Sequence, residues 1–206
     1  MLTQSPSLAH PDQGLSGVQF LKMCARVRST MDRRRYGHVL GVARTAERLA
    51  RRHGVSTLKA RTAGMLHDVA RQWSAEALLA YAFDHGLNPG ADEQAMPVLL
   101  HARVGADVAQ RQFGVSDAQT LAAISHHTVA VAGMSDLEKI LYIADTIEPG
   151  RRLADSPALT ALAERDLDAA MLGCVTGSLK YLIEHRRPIA AQTLALYNEL
   201  VRPHEA

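Results

Sequence analysis

Signals for helix starts and stops recur along the whole chain, whereas signals for β-strands are nearly absent. Two segments, SDAQ (116–119) and SDLE (135–138), have the pattern of a capping box, in which Ser and Gln or Glu satisfy the free amides of a helix start. Apolar residues recur at helical spacing, and one such stripe comprises Val39, Val42, Ala46 and Leu49. Aromatic residues make up 4% of the chain, so its core is built of small aliphatic side chains that suit close-packed helices. The sequence predicts an all-α bundle of about eight helices.

The predicted helices follow one another with short breaks and no linker. They cover 18–31, 37–54, a helix capped by Ser56 that carries HDVAR (67–71), 74–85, 97–114, two that begin at the capping boxes, a long stretch from Ser156 to before Pro188, and 192–201. Without a repeat or a low-complexity tract, 206 residues suit one domain. We expect a flexible tail at 1–17 and a single domain over 18–206.

Composition limits the classes of function. The net charge of +2 is too small to indicate nucleic-acid binding, and no apolar run is long enough for a membrane span. The two cysteines are far apart, and the first residues lack the apolar core of a signal peptide. These features predict a cytoplasmic protein that binds neither nucleic acid nor a membrane.

Histidine and aspartate occur in several strongly apolar helical segments, where an unpaired imidazole or carboxylate costs free energy. The set comprises His38, His67, Asp68, His101, His126, His127 and Asp145. One buried histidine is more often a core residue with its own hydrogen-bond partner. Several in separate helices of one small domain each need such a partner, and a shared divalent cation satisfies them together. The pattern therefore predicts a metal site.

The ordered set of His38, His67–Asp68 and Asp145 resembles that of the HD-domain metal-dependent phosphohydrolases. Within that superfamily the chain is most similar to the YqeK-type bacterial symmetrical bis(5′-nucleosyl)-tetraphosphatases. The matching segments are RRRYGHVLGVARTAERLA, AGMLHDVAR, LLHARVGADVA, AAISHHTVA, LEKILYIADTIEPGR and, near the end, LKYLIEHRRPIAAQTLALYN. The likeness extends from about Met31 to Asn198.

The resemblance implies an HD-domain bundle around a dinuclear metal centre, typically of iron, with manganese or another transition metal as alternatives. One ion would be held by His38, His67, Asp68 and Asp145, and the other by His101 and His127. Asp68 would bridge both ions, since a carboxylate has two oxygens and an imidazole has one free nitrogen. A metal-bridging hydroxide would then hydrolyse diadenosine tetraphosphate symmetrically to two ADP.

Two neighbouring histidines compete for the second ion. His126 and His127 lie ~100° apart around a helix, so both cannot face one metal. Leu121, Ile124 and Thr128 mark the buried face, with His127 at its edge and His126 nearly opposite. The family has an aromatic residue in place of His126, followed by His-Thr. We expect His127 to be the ligand. The family also usually has Lys in place of Arg71 and Thr/Ser-Gly in place of residues 129–130.

Phosphoryl transfer develops negative charge that arginines can neutralise. Arg71 follows His67 by four residues and is predicted to be catalytic and to bind substrate. Arg151 and Arg35 are further candidates for substrate binding, and so is the hydroxyl of Thr128. For each of these arginines a solvated surface charge is the simpler explanation, and helix-end capping explains Thr128 equally well.

Two alternatives stay open at this level. The first is another HD-type phosphohydrolase: a nucleotidase, a deoxynucleotide triphosphohydrolase or a cyclic-nucleotide phosphodiesterase. The second is a nucleotide-binding module, in which the basic runs RVRSTMDRRRY and RLARRHG could contact nucleic acid. Acidic residues nearly balance that charge and aromatic stacking platforms are missing, which favours the enzyme. A homodimer is possible.

Overall fold

The computed structural model describes residues 17–151 and 156–202, and in these ranges the chain is built of helices without a strand. The helices are α1 (Gly17–Thr30), α2 (Arg33–Arg52), α3 (Thr57–Leu66), α4 (Ala75–Asp84), α5 (Ala91–Ala95), a 3₁₀ helix (Pro97–Leu100), α6 (His101–Phe113), α7 (Ala118–His126), α8 (Asp136–Ile147), α9 (Ser156–Ala163), α10 (Leu167–Glu184) and α11 (Ala191–Val201). The all-α prediction is confirmed. The predicted tail lies outside the described residues except for Gly17.

None of the described helices combines the length and the apolar character that a membrane span needs.

Four predicted helix ends are confirmed by their capping contacts. The side chain of Ser56 accepts a hydrogen bond from the amide of Lys59 and begins α3, and Ser74 begins α4 in the same way. Ser135 and Glu138 form the predicted capping box of α8. Gly114 ends α6 at φ 71°, a left-handed conformation that glycine adopts without strain.

Three starts differ from the prediction because an aspartate caps the helix, and the helix predicted over 97–114 begins as the 3₁₀ helix Pro97–Leu100 before α6. Asp32 accepts from the amide of Arg35 at 2.8 Å, so α2 begins at Arg33 and His38 lies in its second turn rather than at its start. Asp117, and not Ser116, caps α7. Asp166 caps α10 and divides the long C-terminal stretch into α9 and α10. With the short helix α5, the described chain has eleven α-helices rather than about eight.

The helix predicted to carry HDVAR ends before that segment. The last residue of α3 is Leu66, and residues 67–72 form turns with hydrogen bonds between residues three apart, such as Arg71 N to Asp68 O at 3.0 Å. Asp68 and Arg71 therefore project from a tight turn. This turn aims the Asp68 carboxylate toward the neighbouring helices rather than along the face of α3.

Helices α2, α3, α7 and α8 pack together around the main core. The close contact of α2 with α3 depends on Gly64, where a Cβ atom would lie 2.6 Å from the Cα of Ala43. A side chain at this position would force the two helices apart. The contact brings the rings of His38 and His67 to a centroid distance of 5.4 Å. The largest core side chains near these helices include Leu49, Met65, Leu66, Ile124, Ile140 and Leu141.

Candidate metal centre

Asp68 lies at the centre of the predicted ligands, and its two carboxylate oxygens face different histidines. Oδ2 is 3.6 Å from Nε2 of His38 and 3.5 Å from Nε2 of His67. Oδ1 is 3.4 Å from Nε2 of His101 and 3.7 Å from Nε2 of His127. The side chain of Asp68 is 5% exposed, so these are contacts inside the protein. The fold has brought residues from four separate regions of the chain around one carboxylate.

Asp145, on α8, joins the half of the cluster that faces Oδ2. Its Oδ1 is 3.0 Å from Nε2 of His38 and 3.7 Å from Nε2 of His67. We call His38, His67 and Asp145 the Oδ2 side. His101, His127 and Thr128 form the Oδ1 side, where the Thr128 hydroxyl is 3.1 Å from Nε2 of both histidines. The structure thus brings all six predicted ligands into one cluster. Their division between two ions stays a prediction.

Backbone carbonyls fix the orientation of three of the four histidines. Each donates its Nδ1–H to the carbonyl three residues earlier, and the pairs are His67–Gly64 at 2.8 Å, His101–Val98 and His127–Ile124 at 2.7 Å. A ring that donates through Nδ1 keeps the lone pair of Nε2 free. Consequently the free nitrogen of each ring is directed into the cluster.

His38 is held by a carboxylate instead, that of Glu148. Its Nδ1 lies 3.0 Å from Oε1 of Glu148, which is 4% exposed and follows α8. Sequence reasoning missed this residue. Its separation of three residues from Asp145 could have indicated it, but a glutamate beside Pro-Gly at a helix end is usually solvated.

The residues of the cluster fit divalent cations. The buried Nε2 atoms of His38 and His67 lie near carboxylate oxygens, but neither has the geometry of a hydrogen bond with any of the described residues. Two groups of ligand atoms have all members within 4.8 Å of one another: His38, His67 and Asp145, and His67, Asp68 and His127. Imidazole nitrogens and carboxylate oxygens in this arrangement suit a transition metal.

The electrostatics of the cluster also favour a positive charge. Burial lowers the pKa of His67, but Asp68 and Asp145 outweigh it and raise that pKa to about 10. Burial likewise opposes ionisation of Asp68 and Asp145, yet the surrounding imidazoles hold the pKa of each carboxyl well below its usual range. Burial lowers the pKa of His127 despite Asp68, which keeps this imidazole neutral. Two buried carboxylates thus attract positive charge, and a metal ion that replaces the proton of His67 would satisfy the same attraction.

His126 and His127 occupy different environments, as the helical angle predicted. The side chain of His127 is 3% exposed and faces Asp68. That of His126 is 35% exposed, and its Nδ1 lies 2.6 Å from Oε1 of Glu138. His126 therefore flanks the centre while His127 belongs to it. Ligation of a metal by His127 stays a prediction.

The predicted substrate arginines differ in their partners. Nη1 of Arg35 lies 2.6 Å from Oδ2 of Asp68, and Nη2 of Arg151 lies 2.6 Å from Oδ1 of Asp145. The side chain of Arg71 has neither an ion pair nor a hydrogen bond within the described chain, although it lines the same cleft. Arg71 is thus the arginine of the three whose charge is available to a ligand.

A cleft with a volume of about 950 Å³ opens onto the cluster. Beyond the residues already described, its walls include Arg34, Gln72, Val98, Leu99, Tyr142 and Ser178. This volume is at the upper end of the range of ~300–1,000 Å³ that is usual for ligand sites. The cleft has room for a ligand larger than a mononucleotide.

Comparison with known proteins supports the same picture. Residues 35–150 match the HD domain family. The chain is 35% identical to the symmetrical bis(5′-nucleosyl)-tetraphosphatase of Bacillus subtilis, over 86% of this chain and 95% of that protein. It is 32% identical to the protein of the same name in Halalkalibacterium halodurans, over 85% and 93% of the two chains.

A solved structure shares the fold. The crystal structure of a Clostridium acetobutylicum protein, described as a predicted HD superfamily hydrolase involved in NAD metabolism, superposes with a TM-score of 0.85 at 34% identity. The match covers 88% of this chain and 96% of that one. The chain therefore belongs to the HD-domain family, in the same group as these bacterial tetraphosphatases.

Proposed function

We propose that this protein is a metal-dependent hydrolase that cleaves diadenosine tetraphosphate symmetrically into two ADP. The observation that carries the proposal is the division of the cluster by Asp68, whose two oxygens each face one pair of histidines. The substrate is proposed from the names of the relatives in Bacillus subtilis and Halalkalibacterium halodurans. The volume of the cleft is compatible with a dinucleotide.

The cluster would hold two divalent cations. His38, His67 and Asp145 would hold one, His101 and His127 the other, and Asp68 would bridge them. Bound cations of this kind supply a hydroxide from water near neutral pH and draw charge from a phosphoryl group. Iron is the metal that the family resemblance predicts, with manganese or another transition metal as alternatives.

The arginines of the cleft would bind and orient the polyphosphate. The guanidinium of Arg71 has no partner in the described structure. A phosphate group can therefore accept two parallel hydrogen bonds from it. Arg35 and Arg151 contact Asp68 and Asp145, and each keeps further N–H groups for substrate. The Thr128 hydroxyl would donate to a phosphate oxygen near the Oδ1 side.

The decisive experiment identifies the products. Protein purified without oxygen and loaded with Fe²⁺ or Mn²⁺ is incubated with diadenosine tetraphosphate, and the nucleotides are separated by chromatography. We expect ADP alone. ATP and AMP as the main products would refute symmetric cleavage.

The same assay addresses the alternatives. Nucleoside monophosphates, deoxynucleoside triphosphates and cyclic nucleotides are tested in parallel at equal concentration. Faster turnover of any of these would identify another HD-type phosphohydrolase. Tight binding of nucleotide without turnover in the metal-loaded protein would identify a binding module.

A cytoplasmic location and a homodimer stay predictions. The two cysteines are free thiols in the described structure, with Cys174 buried, which is usual for a reducing compartment.

A further inference from the structure

His38 has a carboxylate, that of Glu148, as the partner of its Nδ1, whereas the other three histidines of the cluster have backbone carbonyls. We propose that Glu148 is a positioning residue: it holds the His38 ring through Nδ1 and thereby strengthens cation binding on the Oδ2 side. This inference rests on the metal centre of the proposed function and extends it to a residue outside the set of ligands. Glu148 contacts Nδ1 of His38, whereas Nε2 of the same ring faces Asp145 and the cluster.

The carboxylate of Glu148 is held at both oxygens. Oε1 accepts from Nδ1 of His38 at 3.0 Å, and Oε2 accepts from the amide of Gly150 at 2.6 Å. The residue is 4% exposed, so water does not compete strongly for either contact. A carboxylate with both oxygens engaged in a buried place has little freedom to rotate.

Two glycines leave the space that this carboxylate fills. A Cβ atom on Gly41, in α2, would lie 2.5 Å from Oε2 of Glu148. A Cβ atom on Gly150 would lie 2.8 Å from Oε1 and 2.9 Å from Oε2. Gly41 is three residues after His38 on the same helix, so the space lies beside the ring that Glu148 holds. The backbone is thus shaped to admit a carboxylate at this point.

A carboxylate acceptor acts on the ring in a way that a carbonyl does not. It orients the ring and fixes the tautomer, as a carbonyl does, and its negative charge also makes Nε2 a stronger donor to a cation. Loss of such an outer partner typically weakens metal binding ~10–100-fold. The carbonyl-held histidines on the Oδ1 side have no side-chain charge of this kind behind them.

The test measures Mn²⁺ binding to metal-free protein by electron paramagnetic resonance, which counts free ions at each total concentration. Four variants are compared with the wild type. Glu148→Ala removes the contact, and Glu148→Gln keeps the volume but removes the charge. Gly41→Ala keeps Glu148 and displaces its carboxylate. Gly177→Ala, in α10 with no atom within 4 Å of the added Cβ, controls for the general effect of alanine in a helix.

We expect the wild type to bind two Mn²⁺ and Glu148→Ala to bind one of them ~10–100-fold more weakly. Glu148→Gln should fall between these two proteins. Gly41→Ala should lose affinity, and Gly177→Ala should bind as the wild type does. Because Glu148→Gln keeps the volume of the side chain, weaker binding by this variant reports the lost charge behind the His38 ring rather than lost packing.

The outcomes that overturn the inference are distinct from those that overturn the function. If Glu148→Gln and Gly41→Ala both bind two Mn²⁺ with wild-type constants, Glu148 does not act on the centre, even if Glu148→Ala fails to fold. If the wild type binds no Mn²⁺ at the cluster, the proposed metal centre is wrong and this inference falls with it. Weakening of both ions equally would also contradict an effect confined to the Oδ2 side.

Discussion

The two sides of the Asp68 carboxylate are built from similar histidines but in different electrostatic surroundings. On the Oδ2 side, His38 and His67 share the space with Asp145, and Arg35 and Arg151 contact the carboxylates. On the Oδ1 side, the neutral hydroxyl of Thr128 contacts both His101 and His127. Beyond Asp68, the Oδ2 side contains the carboxylate of Asp145, whereas the Oδ1 side contacts no further carboxylate of the residues that the structure describes.

This difference indicates an order of cation affinity. An ion on the Oδ2 side would face two carboxylates, whereas one on the Oδ1 side would share Asp68 and otherwise meet neutral donors. Arg35 and Arg151 offset part of this negative charge. Because Asp145 has no counterpart on the Oδ1 side among the described residues, we still expect the Oδ2 side to fill first. The Oδ1 side then depends on a carboxylate that the first cation already uses.

Loss of Asp68 should affect both sides of the cluster, because its two oxygens face both. We expect Asp68→Ala to lose both cations and its hydrolytic activity, by more than the ~10–100-fold that loss of an outer partner costs. Metal content and turnover of diadenosine tetraphosphate measure the two effects. A folded Asp68→Ala protein with full activity would disprove the shared centre.

Loss of His127 should remove one side and keep the other. We expect His127→Ala to bind one Mn²⁺ instead of two and to lose nearly all turnover, since the clamp on the phosphoryl group needs both cations. His126→Phe is the matched control, because its ring lies outside the cluster and contacts Glu138. It should retain both ions and much of the rate. The reverse behaviour of the two variants would show that the ligand assignment is wrong.

Arg71 is expected to bind the substrate and not the cations. With no partner among the described residues, its charge is available to phosphate, and a hydrogen bond to a charged group contributes about 1.5–3 kcal/mol. Arg71→Ala should raise KM about tenfold or more while the metal content is unchanged. Arg111→Ala, which removes a charge that contacts Asp107 away from the cleft, is the control. Equal kinetics of both variants would exclude Arg71 from substrate binding.

Glu138 should have the smallest effect, since it contacts His126 and not a predicted ligand. Burial by itself raises the pKa of Glu138, but hydrogen bonds from His126 and Ser135 hold that pKa below its ordinary value of 4.5. The unfolded chain then binds more protons in this range, so the stabilisation is complete above the ordinary pKa and is lost as the pH falls through the lowered one.

Glu138→Gln should therefore lower the free energy of unfolding by about 1 kcal/mol at pH 7, with the difference shrinking below about pH 4. Denaturant unfolding at several pH values measures it. Glu47→Gln, in the surface pair with Arg51, should change stability by about 0.5 kcal/mol or less. A Glu138→Gln difference that grows toward acid would contradict the direction of the pKa shift.

Local signals predicted much of this molecule. Capping side chains such as Ser56 and Ser74 act within four residues of themselves, so the sequence alone identifies their helices. The choice between His126 and His127 followed from helix geometry together with the family pattern, and the structure places His127 beside Asp68 and His126 outside the cluster. The six ligand candidates could be grouped because buried polar residues need partners wherever the fold places them.

The features that were missed depend on contacts between distant parts of the chain. Glu148 is 110 residues from His38, and its separation of three residues from Asp145 is a weak local signal that a solvated carboxylate would share. The tight turn at residues 67–72 replaces a helical continuation that propensity favoured. The division at Asp166 arises because its side chain caps a new helix, a role that any aspartate in such a stretch could have played.

The backbone hydrogen bonds of the three carbonyl-held histidines have a consequence for genetics. The carbonyl oxygens of Gly64, Val98 and Ile124 orient the rings, yet no substitution of a side chain removes a carbonyl. An alanine scan would thus register only part of the site. Val98 and Ile124 can vary in side chain while their carbonyls still hold the rings, whereas Gly64 is constrained separately by the helix that packs against it. A position that tolerates substitution in such a scan can therefore still hold a ligand histidine through its backbone carbonyl.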